Sequence, residues 1–199
     1  MTALNLDRTR TAVLIMDYQV AILSNFPDAD AVLGTAERVL AAVRDGSENP
    51  LIVYVVVGFR PAFPEVSANN KAFASIRDSG RFAPGDPSTR IHDRVAPRDR
   101  DVIVTKHRFG PFQGTDLEMV LRANGIDTLV LLGLSTSGVV LSTVRYAADA
   151  DFRIVVVRDG CGDPDAEVHT VLMDKVFPRQ AEVVSSGDVI AALRQGVNT

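Results

Sequence analysis

The sequence predicts an α/β fold: one doubly wound, six-stranded parallel sheet flanked by helices, in a single domain covering residues 1–199. Two observations carry this. Short β-branched apolar runs alternate along the chain with segments whose apolar residues recur at helical spacing, a pattern that implies right-handed crossovers between parallel strands. Residues 127–150, DTLVLLGLSTSGVVLSTVRYAADA, then show one complete strand–turn–helix unit. Thr128 to Leu132 are apolar enough for a strand covered on both faces. Gly133 is expected to end that strand, Ser135, Thr136 and Ser137 offer capping hydroxyls, and Val139, Val140, Thr143, Val144, Ala147 and Ala148 form one helical stripe. In an open parallel sheet, ligands bind at the carboxyl ends of strands, where a helix start offers unpaired N–H groups to an anion.

The other elements follow in order. Thr11 to Met16 form a first strand ending at Asp17. A loop with Asn25, Phe26 and Pro27 precedes a helix over 31–44, capped by Asp28 or Asp30 and broken over 46–50. Leu51 to Val57 form the second strand. Residues 58–100 carry several prolines and glycines and little periodicity, with a short helix expected near 69–79; so long an insert serves as a lid or interface more often than as an idle loop. Asp101 to Thr105 make the third strand, ending at Lys106. A helix over 114–124 starts at Gly114 or Thr115 and stops at Gly125. Arg153 to Val157 are the fifth strand, 164–177 a helix with Pro in its first turn, 181–184 a sixth strand, and Ser186 caps a closing helix to about Arg194.

Composition narrows the function classes. With 46% hydrophobic and 23% charged residues in 199, the chain can bury a core without disulfides or metals. A net charge of −4 argues against non-specific binding to nucleic acid or an anionic membrane. The single cysteine, Cys161, excludes an internal disulfide and suits a reducing cytoplasm, and no run approaches a membrane span. The expectation is a soluble cytoplasmic protein.

Three strand ends carry distinctive groups: Asp17, Lys106 and the turn Leu134-Ser135-Thr136-Ser137-Gly138-Val139-Val140. On one rim of the sheet they would bring together an acid, an amine and an oxyanion-type turn. The same Asp and Lys could equally form an ion pair that only ties strands together.

IMDYQ at 15–19, VTKHRFGPF at 104–112, the stretch 114–140 and VVVRDGCGD at 155–163 resemble the isochorismatase-like hydrolase superfamily, in matching order over nearly the whole chain. The resemblance implies a six-stranded parallel sheet with helices on both sides, assembly as a homodimer or homotetramer, and a small-molecule substrate. It also implies a triad of Asp, Lys and Cys, of which Asp17 and Lys106 match the first two members. The third departs. Where cysteine hydrolases of the family read G-x-x-T-x-x-C-V, residues 133–140 align without a gap and place Val139 at the nucleophile position. Valine has no lone pair to attack a carbonyl, which excludes a thioester route there. Isochorismatases also lack this cysteine and cleave a vinyl ether with a carboxyl group as proton donor or base. Family members tend to carry a non-proline cis peptide before this turn, here the Leu134–Ser135 bond.

Further candidates come from position and resemblance. Gln19 matches a glutamine that faces the pocket in the family. Arg60 and Arg108 offer charge for a substrate carboxylate, Phe112 and Phe26 could wall a pocket, and Ser135, Thr136, Ser137 and Gly138 could bind substrate or an oxyanion. His107, beside Lys106, could line the pocket, whereas His169 looks exposed. The turn is not a G-x-S-x-G elbow, so no serine nucleophile is expected. Nicotinamidase relatives carry Asp-x-His after the second strand; Val57-Gly58-Phe59-Arg60 stands there, and neither a metal nor a cofactor is expected. Two other readings stay open: a non-catalytic binding protein of the same fold, and a hydrolase with an unrecognised nucleophile, Cys161 included.

Overall fold

The computed structural model describes residues 4–45 and 49–195. The chain runs β1 (Thr11–Met16), α1 (Val20–Leu23), α2 (Ala29–Val43), β2 (Leu51–Val57), α3 (Lys71–Ser79), β3 (Val102–Lys106), α4 (Leu117–Ala123), β4 (Thr128–Leu134), α5 (Leu141–Asp149), β5 (Arg153–Gly162), α6 (Ala166–Val171), β6 (Glu182–Val184) and α7 (Ser186–Gln195). All six strands pair in parallel in the order β3-β2-β1-β4-β5-β6. The order reverses direction between β1 and β4, so the crevice for a ligand opens beyond the carboxyl ends of those two strands.

Side-chain alternation along the strands divides the core. Val13 and Ile15 of β1 pack with Leu33, Val39 and Leu40 of α2 and with Val189 and Leu193 of α7. Ala12, Leu14 and Met16 face the other way, onto Leu117 and Leu121 of α4 and Val140, Val144 and Ala147 at and beyond the start of α5. A period of two along the strand thus fills both layers from one apolar run. The insert adds a third, separate cluster from Phe59, Phe63, Val66, Phe73 and Phe82, joined to the sheet through Val57.

Several boundaries differ from the sequence expectation. Gly133 does not end β4: the strand runs on to Leu134, and the glycine answers to packing, since a Cβ at residue 133 would stand 2.9 Å from Val140 Cγ2 and 3.1 Å from Met16 Cε. Glycine lets the helix start pack close to the sheet. The fifth strand continues past Val157 to Gly162 after an irregularity in its register with β4. The loop after Gln19 contains the short helix α1, and α2 begins at Ala29 with Asp28 at the N-cap position, making no side-chain capping bond. The helix expected from 114 starts at Leu117, after Asp116. In the closing helix Ser185 does the capping expected of Ser186: its Oγ accepts the Asp188 N–H at 3.2 Å. Of the break expected over 46–50, residues 46–48 lie outside the described residues. Among the described residues no helix is long and apolar enough to cross a membrane.

Candidate active site

Asp17 follows β1 directly and sits at φ 63°, a left-handed conformation that Asp tolerates better than most residues. Its N–H donates to the carbonyl of Val55 at 2.8 Å, so the backbone stays in the sheet while the side chain turns over the strand ends. Lys106 ends β3 and reaches across β2: its Nζ lies 2.9 Å from Asp17 Oδ2 and donates to the carbonyl of Arg108 at 3.1 Å. Both side chains are about 95% buried, with relative exposures of 4% and 6% for Lys106 and Asp17. The second carboxyl oxygen, Asp17 Oδ1, is buried without a hydrogen-bond partner. Burial pushes the Asp17 carboxyl above the ordinary aspartate range, opposed by the Lys106 ammonium.

The two residues share a cavity of about 560 Å3, a volume suited to a small molecule. Leu134, Ser135, Gly138 and Val139 complete its floor. The Leu134–Ser135 peptide is cis, and a π-type turn, Thr136–Val140, leads into α5. A Cβ at Gly138 would fall 2.7 Å from Ser135 Oγ, so a larger residue there would have to move the hydroxyl that accepts the Gly138 N–H. Phe26, Phe73, Phe82 and Phe109 line the same cavity, as does Arg81.

The expected site residues divide. Asp17, Lys106, Ser135, Gly138, Val139 and Phe26 meet in this cavity. Thr136 is buried with its Oγ1 2.8 Å from His169 Nδ1, and the Ser137 N–H donates to Asp163 Oδ2 at 2.7 Å. The Gly138 N–H is likewise engaged, with Ser135 Oγ and the Ser135 carbonyl. Ser137 and Gly138 therefore do not present free backbone donors to the cavity in this conformation.

Gln19 does not face the cavity. Its amide is a brace: Nε2 donates to the carbonyls of Val57 (3.0 Å) and Thr89 (2.6 Å), and Oε1 accepts the Val57 N–H at 2.8 Å. A buried amide that satisfies the end of β2 and ties down the insert serves a structural purpose. Arg60 is exposed, 3.6 Å from Glu65 Oε1, and Arg108 donates to the carbonyls of His107 and Glu65; neither borders the Asp17 cavity. Phe112 stacks on Tyr146 at 4.3 Å and does not border the Asp17 cavity. His107 Nδ1 donates to the carbonyl of Gly58 at 2.6 Å instead of lining the cavity. His169, expected on the surface, is half-buried against Thr136, and burial together with the Arg158 charge lowers its pKa. Cys161 is buried on β5, its Sγ 3.8 Å from the Leu131 carbonyl, and burial pushes the thiol up to about 12. A thiol so protonated is no nucleophile.

The sequence reading missed Arg81, Phe73, Phe82 and Phe109. The run Ser79-Gly80-Arg81-Phe82 held one usable cue: Gly80, left-handed at φ 68°, stops α3 and turns the next residues away from its axis. Among the described residues no three His, Cys, Asp or Glu side chains gather closely enough to hold a metal ion.

The molecule is thus an α/β protein with an all-parallel six-stranded sheet and a buried Asp–Lys pair beyond its switch point. The isochorismatase domain model matches residues 11–188, and the chain belongs to that family. It is 34% identical over 195 residues to the isochorismatase family protein YecD of Escherichia coli O157:H7, covering 96% of this chain and 100% of that one. Among solved structures it superposes on a cysteine hydrolase from Pseudomonas syringae pv. phaseolicola with TM-score 0.86 at 20% identity, covering 97% and 96% of the two chains. N-carbamoylsarcosine amidase from Thermoplasma acidophilum gives TM-score 0.74 at 30% identity, covering 89% of this chain and 96% of that one.

Proposed function

We propose that this family hydrolase acts on a small anionic substrate of the isochorismate type by acid–base chemistry at Asp17, without a covalent enzyme intermediate. The observation that carries the reading is the Asp17–Lys106 pair at 2.9 Å in a cavity that Val139 also lines, the residue that the sequence resemblance sets at the nucleophile position. Family membership supports hydrolysis. The valine removes the thiol that an amidase of this family would use, and the protonated, buried Cys161 does not replace it.

A vinyl ether needs no nucleophile from the protein. In this reading the Asp17 carboxylic acid delivers its proton to the terminal enol-ether carbon, giving an oxocarbenium ion. Water adds to that ion while the carboxylate takes a proton from it, and the hemiketal collapses to a ketone and an alcohol. Asp17 ends as it began, protonated. Burial favours the acid form that the first step needs, and Lys106 favours the carboxylate that forms during it. Lys106 thereby limits how far burial can raise the carboxyl, keeping proton transfer reversible.

The test is turnover of isochorismate by the wild-type chain and by Asp17→Ala, beside a panel of small amides and esters. The expected result is release of pyruvate by wild type, a loss of at least about a hundredfold in Asp17→Ala, and no amide or ester turnover. Equal turnover by both would remove Asp17 from the mechanism. No turnover of any compound by wild type would favour a binding protein that kept the fold.

A further inference from the structure

We infer that Arg81 is the specificity-determining residue of this cavity, holding the carboxylate of a ring-bearing acid at the mouth while phenylalanines enclose the ring. The inference rests on the Asp17 cavity being the substrate site, and it adds which substrates enter.

Charge makes the first argument. The cavity borders one carboxylate and two cations, Asp17, Lys106 and Arg81. Lys106 is committed to Asp17 and to the Arg108 carbonyl. Arg81 has no carboxylate within ion-pair distance among the described residues, unlike Arg60, Arg77, Arg90 and Arg94 of the same insert, each paired with an Asp or Glu. Among the described residues its guanidinium makes one hydrogen bond, a long one at 3.3 Å from Nη2 to the Ala21 carbonyl, and it feels Asp86 only from beyond ion-pair distance. A guanidinium carries five N–H donors in a fork that matches a carboxylate, so most of its donors are left for a ligand. Whether Asp17 is protonated or not, positive charge exceeds negative among the residues that border the cavity.

Shape makes the second. Phe82, next in sequence, is 4% exposed at φ 59°, a left-handed conformation costly for a bulky residue and held here by burial. That twist sinks the Phe82 ring into the wall and leaves Arg81 exposed at the rim, its guanidinium 5.3 Å from the ring centre. Phe73 and Phe109 meet edge to face at 5.1 Å, and Phe109 remains 50% exposed although large and apolar. An exposed aromatic ring and a guanidinium without an ion-pair partner on one cavity fit a flat ring with a carboxylate at one end.

The experiment measures binding apart from turnover. Phenylacetate and phenylacetamide share size and ring and differ in charge, and their Kd values can be obtained by NMR titration of the wild-type chain, Arg81→Ala, Arg81→Lys and Arg77→Ala. The wild type is expected to prefer phenylacetate about tenfold, the worth of one charge-assisted contact. In Arg81→Ala that preference falls to twofold or less while the amide Kd stays within twofold; Arg81→Lys is intermediate, and Arg77→Ala keeps the full preference. A preference that survives in Arg81→Ala, an equal loss in Arg77→Ala, or no binding of either probe to wild type overturns the inference. Turnover that is unaffected in Asp17→Ala counts against the acid role alone, so the two failures are distinguishable.

Discussion

Lys106 Nζ meets Asp17 Oδ2 at 2.9 Å even though β2 lies between their strands. The long lysine stem makes the contact possible, and the result is a buried carboxyl with one oxygen paired and the other, Oδ1, facing no protein donor.

That arrangement gives stability a defined pH dependence. The folded-state pKa of Asp17 lies above its unfolded value, so the folded chain binds more protons between the two. Its contribution is fully present below the ordinary aspartate range and is lost as pH rises through the raised value. Urea denaturation of wild type and Asp17→Asn between pH 4 and 8 is expected to show the wild type losing ground to the variant with rising pH, at no more than about 1.4 kcal/mol per pH unit, then levelling. A wild type that gains on the variant with rising pH would reverse the sign.

Cys161 is expected to resist iodoacetamide in the native state at pH 7.5 and to react at once in denaturant, as a buried thiol held near 12 requires. Mass spectrometry before and after unfolding reads this directly. Cys161→Ala is expected to keep activity and lose about 1 kcal/mol of stability; activity that disappears with the thiol would restore it as a nucleophile.

Gly160→Ala places a Cβ 2.7 Å from Leu132 Cδ2 and 2.9 Å from Leu132 Cγ, inside a packed sheet layer. Overpacking of this kind costs roughly 1–3 kcal/mol, measurable as a lowered denaturation midpoint with unchanged slope.

Gln19→Leu removes two buried hydrogen bonds and one part-buried one and strands the N–H and C=O of Val57. A loss of roughly 2–4 kcal/mol is expected, together with faster proteolysis within 58–100, because the contact with Thr89 is one of the insert's ties. Limited proteolysis of the folded variant checks it.

Most of the sheet was legible because its strands are apolar on both faces and its helices carry clear stripes. Asp17 and Lys106 were legible because each charge ends an apolar run. Gln19 does not border the cavity as expected because an amide two residues past the acid can turn either toward the cavity or toward backbone, and only the polar groups of Val57 and Thr89 decide which. Arg60 and Arg108 stand close in sequence to strand ends but find Glu65 and local carbonyls. Arg81 lies far from any strand end, in a segment without periodicity, and reaches the cavity through tertiary packing of the insert. No local pattern encodes that route. The length of β4 was misread for a related reason: Gly133 answers to the side chains of Val140 and Met16, and a breaker glycine would look the same in sequence.

The insert's small aromatic nucleus has an evolutionary corollary. Phe73 and Phe82 both seat that segment on the sheet and shape the chamber where a ligand would rest. Exchanging either for a smaller residue to admit a bulkier compound also loosens the roof, so drift toward new substrates is expected to arrive coupled to lower heat tolerance. Arg81, exposed and outside that nucleus, is the position where ligand preference can change while the scaffold stays intact.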